Sequence, residues 1–347
     1  MAIVVHSYDV AFGMLKGSSR RHLLLGNGFS IALKHDIFSY GSLFENADFS
    51  RVPHVPQLFA ALETTDFEIV IRYLLDAARV VAVYRPGMKR LIKRLVDDAE
   101  AVKDALVNVI ASRHPSRPFD VSAGQYRACR AFLLPYDHIF TLNYDVLLYW
   151  TLMQDEVDEL PLRHDDGFRH PEDRDLPYVS WQQGSSATVS YLHGALHLFD
   201  RRTEITKYTW SKTERAIVDQ VREALDEDKY PIFVAEGTTA SKQERILHNA
   251  YLHKALRSLE GCMQSGKSSV VIFGHSLAEN DAHILRCVAA GSVPVMLVGL
   301  YGDPASAANQ SVIENAEKLV GLRRKLRGER WPLDLHFYDA ASARVWG

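Results

Sequence analysis

Four short groups of residues in this 347-residue chain have the types and spacing to act on a small charged ligand. They are Gly26-Asn27-Gly28-Phe29-Ser30, Thr141-Leu142-Asn143-Tyr144-Asp145, His193-Gly194 and Gly274-His275-Ser276. Gly26 and Gly28 allow a tight turn and a close approach to phosphate. A helix opening at Phe29 would add free N–H groups and a positive dipole end. Ile31 replaces the third glycine of G-x-G-x-x-G, which argues against an ordinary dehydrogenase loop. Asn143 and Asp145 share one side of the chain if the strand before them continues. Such a pair can hold a water, a sugar hydroxyl or an amide, and it equally suits a turn or a helix cap. His193 at a strand end has the chemistry of a general base. Gly274 to Ser276 could border a ribose or phosphate, or form a plain connection with Asn280 or Asp281 capping the next helix. Together the four groups predict chemistry on a nucleotide.

Two other patterns predict less. His193 and His197 form H-x-x-x-H, but no third ligand stands at a usual spacing, so His197 reads as structural and no metal is expected. Gly261 to Ser268 matches G-x-x-x-x-G-K-[ST]. A phosphate-binding loop follows a strand and opens a helix, whereas this run follows a helix and precedes a strand, so it reads as a connector.

The elements that must position these residues follow from the apolar runs. Strands are expected at His22–Leu25, His138–Leu142, Val189–His193, Pro231–Ala235, Ser269–Phe273, Val293–Leu297 and Leu333–Tyr338. Most are continuously apolar, as strands buried on both faces are. Helices are expected at Thr213–Leu225, Ser241–Leu259, Asp281–Ala290 and Ala307–Leu326. This alternation predicts an α/β fold, a Rossmann-like parallel sheet with helices on both faces. Between Glu45 and Arg130 no strand is evident. Phe67–Val83 and Lys89–Ile110 carry helical periodicity, with Leu91, Leu95, Val102, Leu106 and Ile110 on one face. We therefore expect a Rossmann-like domain over 1–45 and 131–347, interrupted by a helical insertion over 46–130. The polar stretch Asp155 to Ser186 reads as a long loop or mobile cover.

Bulk properties narrow the class. A hydrophobic content of 47% supplies a large core, and a net charge of -3 gives no footprint for nucleic acid or an anionic membrane. No apolar run approaches the roughly 20 residues of a membrane span. The N-terminus lacks a secretory pattern, and Cys129, Cys262 and Cys287 form no CxxC pair or disulfide framework. A cytoplasmic location is expected.

In order and spacing the four groups resemble the sirtuin-like superfamily, which carries a G-A-G-x-S loop, a T-x-N-x-D segment, a catalytic H-G and a later G-x-S strand end. The match covers some fifteen residues over most of the expected sheet. Three scattered cysteines cannot build the zinc module of protein-deacylating sirtuins. Their D-F-R stretch is also absent, with Ile37-Phe38-Ser39-Tyr40 in that region. With its helical insertion, the chain looks like the bacterial sirtuin-like NAD hydrolases of phage defence. Pro231 to Leu259 also looks typical of such proteins.

The resemblance implies NAD+ as substrate and hydrolysis of its nicotinamide–ribose bond without a metal. Asn143, His193 and Asp145 would be catalytic. Asn143 and Asp145 would face the nicotinamide ribose, and His193 would orient or deprotonate a ribose hydroxyl or water. Gly26, Asn27, Gly28, Phe29, Ser30, Thr141, Gly274, His275 and Ser276 would bind the cofactor. Within that set Gly26 and Gly28 would receive the pyrophosphate, Ser30 would donate to a phosphate, and Gly274 and Ser276 would border the adenosine side. An unregulated NAD hydrolase would poison its own cell, so control by self-assembly or an activating protein is expected, with the insertion as the surface. The alternatives are a non-catalytic NAD or ADP-ribose sensor and, disfavoured by the missing zinc module, a deacylase or ADP-ribosyltransferase.

Overall fold

The computed structural model describes residues 3–347 except 155–156, 158, 162, 171–175, 177, 202, 210–214, 228 and 235–238. Its centre is a seven-stranded, wholly parallel sheet. The strands are β1 (Val5–His6), β2 (Arg20–Leu25), β3 (His138–Thr141), β6 (Val189–Tyr191), β9 (Ser268–Phe273), β10 (Val295–Leu300) and β11 (Asp334–Asp339), in the order β1-β11-β10-β9-β2-β3-β6. Leaving aside edge strand β1, the order is that of the doubly wound dinucleotide-binding fold, reversing direction between β2 and β9. That reversal opens a crevice beyond the carboxyl ends of the two strands. Helices flank the sheet, and every β9 residue is buried, as its continuous apolar run predicts.

Six expected strands lie within a residue or three of observed ones. The seventh, Pro231–Ala235, is not a sheet strand. Its described part makes one antiparallel bridge, Phe233 to Gly194, with the Val234 N–H on the His193 carbonyl at 3.0 Å; Ala235 lies outside the described residues. The expected helix Ser241–Leu259 is two helices, Thr239–His248 and Ala250–Met263. Asn249 breaks them, because its side chain caps the second by accepting from the Leu252 N–H. The expected helix from Thr213 is observed over Ile217–Asp226, and residues 213–214 lie outside the described set.

The stretch Asp155 to Ser186 is not simply a loop. It contributes β4 (Phe168–Arg169) and β5 (Tyr178–Trp181) to a four-stranded antiparallel sheet with β7 (Leu198–Asp200) and β8 (Ile205–Tyr208), in the order β4-β5-β8-β7. These strands are two to four residues long and set among charged residues, too short for a periodicity to show. Lys207 and Asp166 form a buried ion pair beneath them, with the ammonium 4.6 Å from the Tyr149 ring centroid.

Between β2 and β3 the described residues form only helices, dominated by Phe67–Tyr84 and Lys89–Arg113. Asp66 starts the first by accepting from the Glu68 and Ile69 N–H groups. Of the expected apolar face of the second, Val102, Leu106 and Ile110 are buried and Leu95 partly so. Leu91 is exposed, because the first turns project past the core. Phe67, Val70, Val102 and Leu106 belong to the same core as the sheet strands. The helix Ala123–Leu133 runs across residue 130, so the chain does not break there.

Candidate active site

The first and fourth groups meet at the reversal point. Gly26 N–H donates to the Phe273 carbonyl at 2.9 Å, and Gly28 N–H to the Gly274 carbonyl at 2.8 Å. A Cβ on Gly28 would lie 2.5 Å from Gly274 Cα, and one on Gly274 would lie 2.6 Å from Gly28 Cα. Gly274 also has φ +67°. The glycines are therefore needed first so that two backbone loops can touch. In the His193-Gly194 pair, Gly194 has φ +84° and a Cβ there would stand 2.0 Å from the Ile232 carbonyl oxygen. The bridge to Phe233 thus dictates a glycine directly after His193.

A cavity of about 910 Å³ opens over these loops, within the size range of cofactor pockets. Of the expected residues, Gly26, Asn27, Gly28, Asn143, Asp145, His193, Gly274, His275 and Ser276 line it. Phe29, Ser30 and Thr141, also expected at the cofactor, do not line it. Phe29 packs on Trp346, whose indole N–H bonds the Phe29 carbonyl at 2.8 Å. Thr141 Oγ1 accepts the Asn143 N–H at 3.1 Å. Ser30 is fully buried and donates its hydroxyl hydrogen to Asp145 Oδ2, not to a phosphate.

That Ser30 bond determines how Asn143 is presented. With its one hydrogen committed to Asp145, Ser30 Oγ can only accept, and it accepts from Asn143 Nδ2 at 2.9 Å. Asn143 Oδ1 is left buried with no partner. A buried amide oxygen without a partner is costly unless a ligand or water completes it. Asp145 has both oxygens engaged, since Oδ1 accepts the Leu147 N–H at 2.9 Å. Its carboxylate therefore positions Asn143 through Ser30 and holds the first N–H of the helix Leu147–Met153. Burial holds its pKa above the usual carboxylate range.

His193 enters a buried charge network that the sequence reading did not anticipate. Its Nε2 lies 3.1 Å from His283 Nε2 and 3.7 Å from Asp281 Oδ1. Asp281 Oδ2 bonds His275 Nε2 at 3.0 Å, and His275 Nδ1 accepts the Leu277 N–H, which sets its tautomer. Lys242 is completely buried, 3.0 Å from Asp281 Oδ1 and bonded to Glu68 Oε2. Glu68 also accepts from Asn280 Nδ2 and from the Tyr144 hydroxyl, both at 3.1 Å. Two sequence features mark these residues. Glu68 sits on the apolar stripe of its helix with Phe67, Ile71 and Leu74, and Lys242 lies one turn from Ile246 on the buried side of its helix. A charge where periodicity demands an apolar residue must find a buried partner.

The helix Ala282–Ala290, which carries His283, is anchored at its carboxyl end. Arg323 is buried and donates to the Val288, Ala289 and Val293 carbonyls. His193, His283 and Asp281 present ligand atoms within 4.8 Å of one another. The Lys242 ammonium already supplies the positive charge at Asp281, so a metal ion there would face an adjacent fixed cation. His197 is buried between Tyr149 and Tyr191, with ring centroids 5.0 and 5.2 Å away, and does not reach the cavity.

Burial is the first cause of every imidazole shift here. It pushes His193 and His197 well below 6.5, and His22, His114 and His283 down to about 4. The unfolded chain takes up protons at these residues as pH falls through 6.5, whereas the folded chain resists until about 4. Stability present at pH 7 is therefore lost on acidification. Between pH 7 and 5 each of His22, His114 and His283 contributes a loss of about 2 kcal/mol. Asp66, pushed up to about 6 chiefly by burial, works in the opposite sense and returns about 1 kcal/mol. Urea unfolding at the two pH values should show a loss of about 4 kcal/mol from these four groups, with His193 and His197 adding in the same direction; an unchanged midpoint would overturn this account.

Among the described residues, no helix is long and apolar enough to cross a membrane. No curated protein matches the chain. A family profile described as a domain of unknown function (DUF4917) matches residues 23–346, from β2 to the tryptophan that closes on the first glycine loop, and the chain belongs to that family.

Proposed function

We propose that this protein hydrolyses NAD+ to nicotinamide and ADP-ribose in the crevice between β2 and β9. The observation that carries the reading is Asn143 Oδ1, an acceptor held in place by Ser30 and Asp145 and lacking a partner beside a large cavity that His193 also lines. The attacking water would donate one hydrogen to Asn143 Oδ1 as its oxygen bonds C1′ of the ribose. The C1′–N bond breaks, and its electron pair neutralises the cationic nicotinamide. His193 is uncharged near neutrality and takes the water's proton, and the Asp281 carboxylate 3.7 Å away steadies the imidazolium that results. Arg344 is the one Lys or Arg lining the described cavity, and it would face the pyrophosphate together with the glycine loops. Chromatography of NAD+ incubated with the purified protein tests the reading: equimolar nicotinamide and ADP-ribose are expected. NAD+ bound but unchanged would favour a sensor, and acyl-ADP-ribose or modified protein a transferase.

From the resemblance to phage-defence NAD hydrolases we infer that this reaction serves NAD depletion of an infected cell. Control then falls to assembly or to an activating protein. The two long insertion helices support this. Their linked ends expose Val80, Val83, Tyr84, Met88 and Leu91, while Glu68 at the other end of the hairpin reaches Lys242 in the site. Light scattering of purified protein should show a concentration-dependent oligomer that Tyr84→Glu weakens. A fully active monomer at every concentration would remove this part of the proposal.

A further inference from the structure

A second cluster lies away from the cavity, toward the amino ends of the strands. His22 and His138 are register partners on β2 and β3, so their side chains leave the same face of the sheet, with ring centroids 5.2 Å apart. Cys262, in the last turn of the helix Ala250–Met263, comes down on that face. One ring nitrogen of each histidine and the Cys262 sulfur lie within 4.8 Å of one another. His22 is 1% exposed, and neither His22 Nδ1 nor His138 Nδ1 has a hydrogen-bond partner. Two unsatisfied imidazole nitrogens beside a free thiol are an expensive arrangement for a core unless something else bonds to them. Cys262 also belongs to the segment resembling a phosphate loop, which lies at the wrong end of β9 for that role.

We propose that His22, His138 and Cys262 bind a zinc-class divalent cation, structural in role and separate from the NAD+ site. Two imidazoles and one thiolate are a borderline-soft ligand set suited to tetrahedral Zn²⁺, with water or a fourth group completing it. The ion bonds the sulfur as the thiol proton leaves to solvent. The helix carboxyl end above Cys262 and the nearby Asp137 carboxylate favour a cation, against the opposing Arg20 guanidinium. His138 lines a cavity of about 290 Å³, which gives the ion a route in. The cluster does not depend on what the larger cavity binds.

Cobalt substitution tests it. Metal-free protein titrated with Co²⁺ should take up one ion per chain with a thiolate-to-cobalt charge-transfer band. Cys262→Ser should lose that band and bind at least about a hundredfold more weakly, more than the loss of an outer-shell partner costs. Zn²⁺ should raise the thermal midpoint of the natural chain but not of Cys262→Ser. His138→Asn, at a partly exposed position, should behave likewise if Cys262→Ser fails to fold. No cobalt uptake by folded protein would overturn the proposal. So would cobalt absorption that survives Cys262→Ser and disappears in His283→Ala, which would put the ion at the other histidine cluster.

Discussion

Asn143→Ala is expected to lower NAD+ cleavage by about a hundredfold to a thousandfold while leaving the fold intact. The Asn143 side chain makes one hydrogen bond, to Ser30, and Ser30 keeps its stronger bond to Asp145 when that partner goes. The cost to stability is that of one hydrogen bond, about 1 kcal/mol. The cost to catalysis is that of an acceptor aimed at the reacting water, and losses of such preorganised groups fall in the hundredfold to thousandfold range. Nicotinamide release, measured beside a thermal melt, separates the two effects. Full turnover with an unchanged melting point would remove Asn143 from the mechanism. Asn143→Asp should fail equally, because a second carboxylate would face Asp145 across Ser30.

Asp281→Ala should damage folding more than any single change at the cavity rim. Burial alone would lower the Lys242 pKa, but Glu68 and Asp281 reverse this and hold it above its ordinary value, fully charged. Removing Asp281 strands half of that compensation and unties His275 and His193. Breaking a buried ion pair from one side costs about 3–5 kcal/mol, or roughly 5 °C of thermal midpoint for a chain this long. Adding Lys242→Met to Asp281→Ala should recover part of the loss, since the uncompensated charge leaves with the lysine. A single variant that melts with the natural protein would show that Asp281 does not hold the lysine. The network also ties the insertion to the site, because Glu68 belongs to the first turn of its long helix.

Much of the sheet is legible in the chain because strands buried on both faces must be apolar throughout, and Leu23 to Leu25, Ile139 and Phe140, and Val270 to Phe273 are. The reversal point was reachable by the same logic, since glycine loops stand at the ends of such runs. The second sheet was not legible. Phe168–Arg169 and Leu198–Asp200 are too short to carry a period, and they are held by the inner strands β5 and β8 and by the Lys207–Asp166 pair.

At the site, residue type and position along the strands nominated Asn143, His193 and the two glycine loops. Their hydrogen-bond partners come from neighbours distant in sequence. Ser30 lies 113 residues from Asn143, and its single hydrogen, given to Asp145, decides which amide atom Ser30 accepts from. His193 lies 90 residues from His283, and Glu68 lies 174 from Lys242. A one-dimensional pattern records which residues want to be buried, since burial is a property each side chain carries with it. Which proton goes to which oxygen, and which charge answers which, depends on pairwise distance, and only the tertiary structure supplies that.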